Sequence, residues 1–169
     1  ATHYIIVGPL ASAQTSGIAW KNANTATTGA DSFIDGPQNT ADMVAGGSST
    51  VYPSAHFCNN VTTGGFSDWY MPAINELEVC YYGLKPTTTT NNTAVGTNTN
   101  AVPSRGSNYT SGTPAQTSAA AFVTSTGAEA FTADYYWSST EYSSAGGWSK
   151  HFGNASQYYG YSKLSPHRV

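Results

Sequence analysis

The chain has 169 residues and a formal charge of −3, with 9% charged, 39% hydrophobic and 13% aromatic residues. A charged share so far below the usual figure of about 25% leaves no basic cluster to neutralise a phosphate backbone, which argues against a nucleic-acid partner. No apolar run reaches the ~20 residues of a membrane span, so no membrane insertion is expected. Residues 1–7 also lack the basic start and long apolar core of a signal peptide.

The length fits one hydrophobic core, and 1–169 is read as one domain. His3 to Val7, a β-branched and aromatic run closed by Gly8 and Pro9, reads as an opening strand. Since the chain starts there without Met, it is expected to be a piece of a longer protein. Ile18 to Lys21 reads as a second short strand and Asn22 to Gly36 as a loop ending in the Asp35-Gly36-Pro37 turn. Pro37 opens a short helix carrying Thr40, Ala41, Met43 and Val44, which Gly46 and Gly47 stop. Pro53 through Asn60 reads as a further helix whose inner face carries Ala55, Phe57 or Cys58, and Val61.

The clearest helix runs from Pro72 to Tyr82, with Glu76 and Glu78 in its N-terminal half, Gly83 after it, and Ile74, Leu77, Cys80 and Tyr81 on one buried face. Lys85 to Pro114 is a Thr, Asn and Ser-rich loop longer than an ordinary connection, which marks it as functional or mobile. Gln116 to Val123 supplies a helical turn or two with Ala119, Phe122 and Val123 inward. Ala133 to Val169 alternates aromatic and polar residues between glycine turns and reads as a small antiparallel sheet, giving an α+β arrangement. Cys58 and Cys80 allow one disulfide at most; two buried free thiols are the commoner outcome, and a bridge is the alternative.

Two stretches are more specific than composition. One is Gly64-Gly65-Phe66-Ser67-Asp68-Trp69-Tyr70-Met71-Pro72-Ala73, running into Asn75-Glu76-Leu77. The other is Tyr136-Trp137-Ser138-Ser139-Thr140-Glu141-Tyr142, followed by Trp148, Phe152, Lys163 and Arg168-Val169. Together they resemble the DUF1566 family, also described as the Lcl C-terminal domain, and they are similar to phage tail-fibre C-terminal domains and the variable proteins of diversity-generating retroelements. Met71 and Cys80 depart from the commoner aliphatic residues of that pattern, and the chain stops sooner after its Arg-Val pair. The resemblance implies a C-type-lectin-like fold whose terminal strands pair, and a role in adhesion or receptor recognition.

Asp68, Trp69, Trp137, Ser138, Ser139, Glu141, Trp148, Phe152 and Arg168 are expected to be scaffold, because indoles flanked by hydroxyls and a carboxylate satisfy buried polar groups in a domain with few charges. Between these anchors lie Ser149, His151, Asn154, Ser156, Tyr158, Tyr159, Tyr161 and His167. Tyr, Ser and Asn are the vocabulary of adaptable recognition surfaces, and strand alternation turns about half of such a stretch outward. The resemblance singles these eight out as ligand-facing; the alternative is that the three tyrosines pack against a neighbouring subunit.

Metal binding is not expected. The chain lacks the carboxylate and amide set of a calcium-dependent lectin, and His3, His56, His151 and His167 have no paired spacing. No cofactor is expected either. The leading expectation is a non-enzymatic, trimeric receptor-binding tip on a phage tail fibre or a bacterial surface, recognising a protein or glycan of the host. A trimerising cap without receptor contact is the second. The third is an oxidase related to the formylglycine-generating enzymes, which needs a reactive Cys pair with copper; a thiol on a buried helix face is poorly placed for that.

Overall fold

Helix starts follow the prolines. In the computed structural model, which describes residues 2–169, α1 (Leu10–Ala13) follows Pro9, α2 (Gly36–Gly46) has Pro37 in its first turn and α3 (Pro53–Asn59) begins on Pro53. Asp35 caps α2, its carboxylate accepting from the Gln38 N–H at 3.0 Å. α4 (Ile74–Leu84) begins two residues after Pro72. Its N-cap, Ala73, has no acceptor side chain, so Glu76 satisfies that end by accepting from the Ala73 N–H at 2.8 Å. The same carboxylate accepts from Gly36 N–H at 3.1 Å and so ties the start of α2 to the start of α4. A side chain at Gly36 would collide with Glu76, Tyr70 and the Ala73 backbone. α4 also runs past Gly83, the expected stop. It ends where Lys85 precedes Pro86, because a residue before proline is driven out of the helical region.

A single 3-10 turn at Ala120–Phe122 follows the long polar segment; Phe122 and Val123 are half-buried there, while Ala119, expected inward, is exposed. Then come β1 (Tyr135–Glu141), β2 (Gly146–His151) and β3 (Gln157–Ser162), a three-stranded antiparallel sheet in that order, inside the 133–169 window read from the sequence.

The opening strand is a correction. Residues 3–7 keep a period of two, with Ile5 and Val7 packed on the core and Tyr4 and Ile6 exposed, but no backbone ladder joins them to a neighbour among the described residues. The place beside β1 is already taken. Tyr136 bridges Arg168 in parallel, Ile18 bridges His167, and Thr15 and Val169 exchange backbone bonds at 3.2 Å. The chain end therefore lies between β1 and residues 15–18, and the expected Ile18 to Lys21 strand shrinks to one bridge.

Trp137 and Tyr136 are consecutive on β1, so they point to opposite faces of the sheet. Each joins its own core cluster. Trp137 packs with Trp20, Met43, Tyr52, Ala55 and Met71, whereas Tyr136 packs with Leu77, Tyr81, Tyr109 and Phe152. Cys58 belongs to the first cluster and Cys80 to the second, and both are free, buried thiols.

The 85–114 segment has no regular structure, yet it is fastened at several points. Glu78 on α4, only 2% exposed, accepts from Asn98 Nδ2 at 2.7 Å and also from Arg105 and the Tyr109 hydroxyl. Asn91 accepts from the Tyr81 hydroxyl at 2.6 Å, and Lys85 donates to the Thr89 and Pro114 carbonyls. Removing one partner of a buried charge pair costs about 3–5 kcal/mol. Glu78→Ala is therefore expected to lower the unfolding free energy by that much in denaturant titrations and to open the paired Asn98 and Arg105 amides to hydrogen exchange. A stability change under ~0.5 kcal/mol, the range of an ordinary surface substitution, would show that Glu78 does not hold the segment.

Candidate functional site

The register decides which sequence-predicted residues meet. β2 pairs Ser149 with Tyr158 and Gly147 with Tyr161, and the shift between those pairs inserts one extra residue into β3. β1 pairs Tyr135 with His151. Tyr135, His151, Tyr158 and Tyr161 therefore share one side of the sheet, and His167, coming from the chain-end segment, joins them.

Tyr135 is the centre of this group. Its ring lies 4.8 Å from His151, 5.0 Å from Tyr161 and 5.7 Å from His167, and Tyr158 lies 4.5 Å from Tyr161. Tyr158 is exposed; the other members are half-buried. Tyr135 carries no motif and was not singled out in the sequence. Its pairing opposite His151 is the only signal, and that needs the register.

Ser149 is a correction to the ligand-facing set: it is fully buried, and its hydroxyl donates to the Tyr158 carbonyl at 3.2 Å. No ligand reaches it in this conformation. Asn154 and Ser156 sit in the turn before β3, where the Asn154 side chain accepts from the Ser156 N–H at 3.1 Å. Tyr159 borders the Tyr135 group: its ring stacks on Tyr158 at 6.0 Å, meets Trp148 edge to face at 5.1 Å and lies tilted 4.5 Å from Tyr142.

Of the residues expected to be scaffold, Trp137, Ser138, Ser139 and Phe152 are fully buried. Trp137 Nε1 donates to the Ile18 carbonyl at 3.2 Å, and Ser139 accepts from Asn39 at 3.1 Å. Glu141 accepts from the Thr27 N–H and from Lys163, while Arg168 pairs with Asp134 at 3.2 Å. Trp69 is half-buried and donates to the Thr63 carbonyl at 3.3 Å. Asp68 and Trp148 differ from that picture: Asp68 is exposed and Trp148 only half-buried.

Between the N-terminal segment and the core lies a half-open, mainly apolar cavity of about 310 Å³ whose walls include Ile5, Val7, Cys58, Trp69, Cys80 and Phe131. Burial pushes both thiols up to about 12, so they are protonated at neutral pH and neither is a ready nucleophile. Among the described residues no group of three His, Cys, Asp or Glu side chains is placed to hold a metal ion, and no helix is long and apolar enough to cross a membrane. No family model, no curated protein and no solved structure matches this chain.

Burial holds His151 and His167 below the ordinary imidazole value, opposed in both by the nearby Asp134 charge. His167 Nε2 is also buried without a hydrogen-bond partner. The folded chain thus prefers both rings neutral. A depressed folded pKa stabilises above the unfolded value of about 6.5, and the stabilisation is lost as pH falls below it. The thermal midpoint is expected to drop more steeply between pH 7 and pH 5 in the natural protein than in a His151→Gln, His167→Gln double variant. Parallel profiles for the two proteins would show that these rings do not carry the effect.

Proposed function

We propose that the chain is a non-catalytic receptor-binding domain of C-type-lectin-like fold, spanning 1–169 and presented as a homotrimer at the tip of a phage tail fibre or a similar surface fibre. The observation that carries this reading is the gathering of Tyr135, His151, Tyr158, Tyr161 and His167 on one side of a sheet braced by buried tryptophan. Tyrosine offers a large contact area through two torsions, so ordering it against a receptor costs little entropy. The rings already rest on one another, which lowers that cost further. The motifs around Trp69 and Trp137 support the same reading by resemblance, and the receptor belongs to the host-cell surface, as protein or glycan.

A specific observation favours a second reading, a trimerising cap without receptor contact. β3 is an edge strand with neither a charge nor a proline, the devices that usually keep edges from pairing with other chains. The two readings part on one pair of substitutions. With Tyr158→Ala, Tyr161→Ala, the receptor reading expects binding to host-cell envelopes to weaken at least ~10-fold, the loss of a single aromatic hot spot, while the oligomer mass by light scattering stays the same. Unchanged envelope binding together with a dissociated oligomer would replace it by the cap.

A further inference from the structure

All six basic side chains of the chain are engaged internally. Lys21 donates to the Thr25 and Ala26 carbonyls, Lys85 to those of Thr89 and Pro114, Lys150 to that of Ala155, and Lys163 to that of Thr25. Arg105 pairs with Glu78 and Arg168 with Asp134. The four lysines are all buried. Carboxylates are distributed differently, for Asp31, Asp35, Asp68 and Asp134 are exposed. The charge that the molecule shows to a partner is therefore negative.

Next to the Tyr135 group, and joined to it by the stack of Tyr159 on Tyr158 at 6.0 Å, stands a second aromatic set. Trp148 lies 5.6 Å from Phe33, 5.1 Å from Tyr159 and 5.8 Å from Tyr142, and Tyr142 lies 4.5 Å from Tyr159. Phe33, Tyr142 and Tyr159 are 46%, 51% and 46% exposed, and Ile34 beside them is 55% exposed. Asp31 and Asp35 flank Phe33 two residues to either side, within about 7 Å of it along the backbone. Both carboxylates are exposed, and no basic side chain belongs to the set.

We propose that this Phe33–Tyr142–Trp148–Tyr159 surface docks a cationic protein segment, one that lays Lys or Arg side chains over the rings and against the Asp31 and Asp35 carboxylates. Trp and Tyr faces attract cations through the ring quadrupole, and a rim of like-signed carboxylates adds to that attraction while repelling phosphate, sulfate and sialic acid. The surface adjoins the Tyr135 group through the Tyr158–Tyr159 stack and does not depend on the role given to that group.

The probe is an acetylated, amidated peptide of three arginines alternating with glycines, titrated by calorimetry and by tryptophan fluorescence beside an isosteric citrulline peptide. The arginine peptide is expected to bind at least ~10-fold more tightly than the citrulline one, the worth of about 1.4 kcal/mol, and to weaken as salt rises. Asp31→Asn, Asp35→Asn, which keeps a capping side chain at position 35, and Tyr159→Leu, at an exposed position, are each expected to weaken it several-fold. Asp68→Asn removes an exposed carboxylate elsewhere and is expected to leave it unchanged. Equal binding of the citrulline peptide, an equal loss in Asp68→Asn, or binding of heparin or maltoheptaose at this surface in place of the arginine peptide would each overturn the proposal.

Discussion

A buried ammonium group has three donors and no acceptor, so it must gather oxygen atoms around itself or leave the fold with an unmet cost. This constraint organises much of the chain. Residues 22–35 and 85–114 contain almost no regular structure, and their carbonyls cannot be satisfied by ladders of their own. Lys21 and Lys163 both donate to the Thr25 carbonyl, and Lys85 joins Thr89 to Pro114 across 25 positions of loop. Lys150 lies over the Tyr81 and Tyr109 rings at 5.0 and 5.4 Å. Burial holds Lys85, Lys150 and Lys163 below the ordinary lysine value, Lys150 down to about 7. That depression measures how much the interior disfavours the charge. Lys21, Lys85 and Lys163 each replace at least two lost contacts with water, whereas Lys150 has one carbonyl and two ring faces. The second effect of this arrangement lies outside: a chain that spends its cations on its own loops presents carboxylates, hydroxyls and aromatic rings to everything else.

The elements legible in the sequence are those fixed by local chemistry. Pro37 and Pro53 open helices because a proline costs nothing where the first N–H groups lack partners anyway, and the three-to-four spacing of Ile74, Leu77, Cys80 and Tyr81 places them on one buried face. The closing sheet was legible from its glycine-punctuated alternation. What failed depended on partners far away in the chain. Residues 3–7 have strand chemistry, but strands need a free edge, and His167 to Val169 occupy the one beside β1. Glu78 looked like an N-terminal helix carboxylate; its burial follows from Asn98, Arg105 and Tyr109, 20 to 31 positions downstream.

The candidate recognition residues divide along the same line. Counting alternate positions along the terminal stretch would put Tyr158 and Tyr161 on opposite sides of the sheet; the extra residue in β3 lets them share one side, and the Tyr159 ring stacks on Tyr158 at 6.0 Å. Nor does counting show Ser149 beneath the surface, because serine hydroxyls serve buried carbonyls as readily as solvent. The scaffold assignment was strongest for Trp137, where the indole N–H had to find an acceptor once the ring was covered. It was weakest for Trp148, where a half-exposed indole does not need one.

These placements bear on how such a surface can change without loss of the fold. Substitutions at exposed positions ordinarily shift stability by no more than ~0.5 kcal/mol, so Tyr158 and Tyr159 can be exchanged at little cost to folding. Two positions between them and the core are different. A side chain at Gly147 would press on Trp20 and Trp137, and Lys150 has nowhere to place its ammonium except against the Ala155 carbonyl and the two tyrosine rings. Along β2 and β3, tolerant and intolerant residues are thus interleaved at a spacing of one or two. Variation confined to the outer set would alter what the sheet contacts, while the inner set keeps the strands in register. That separation is what a recognition surface on a rigid support requires.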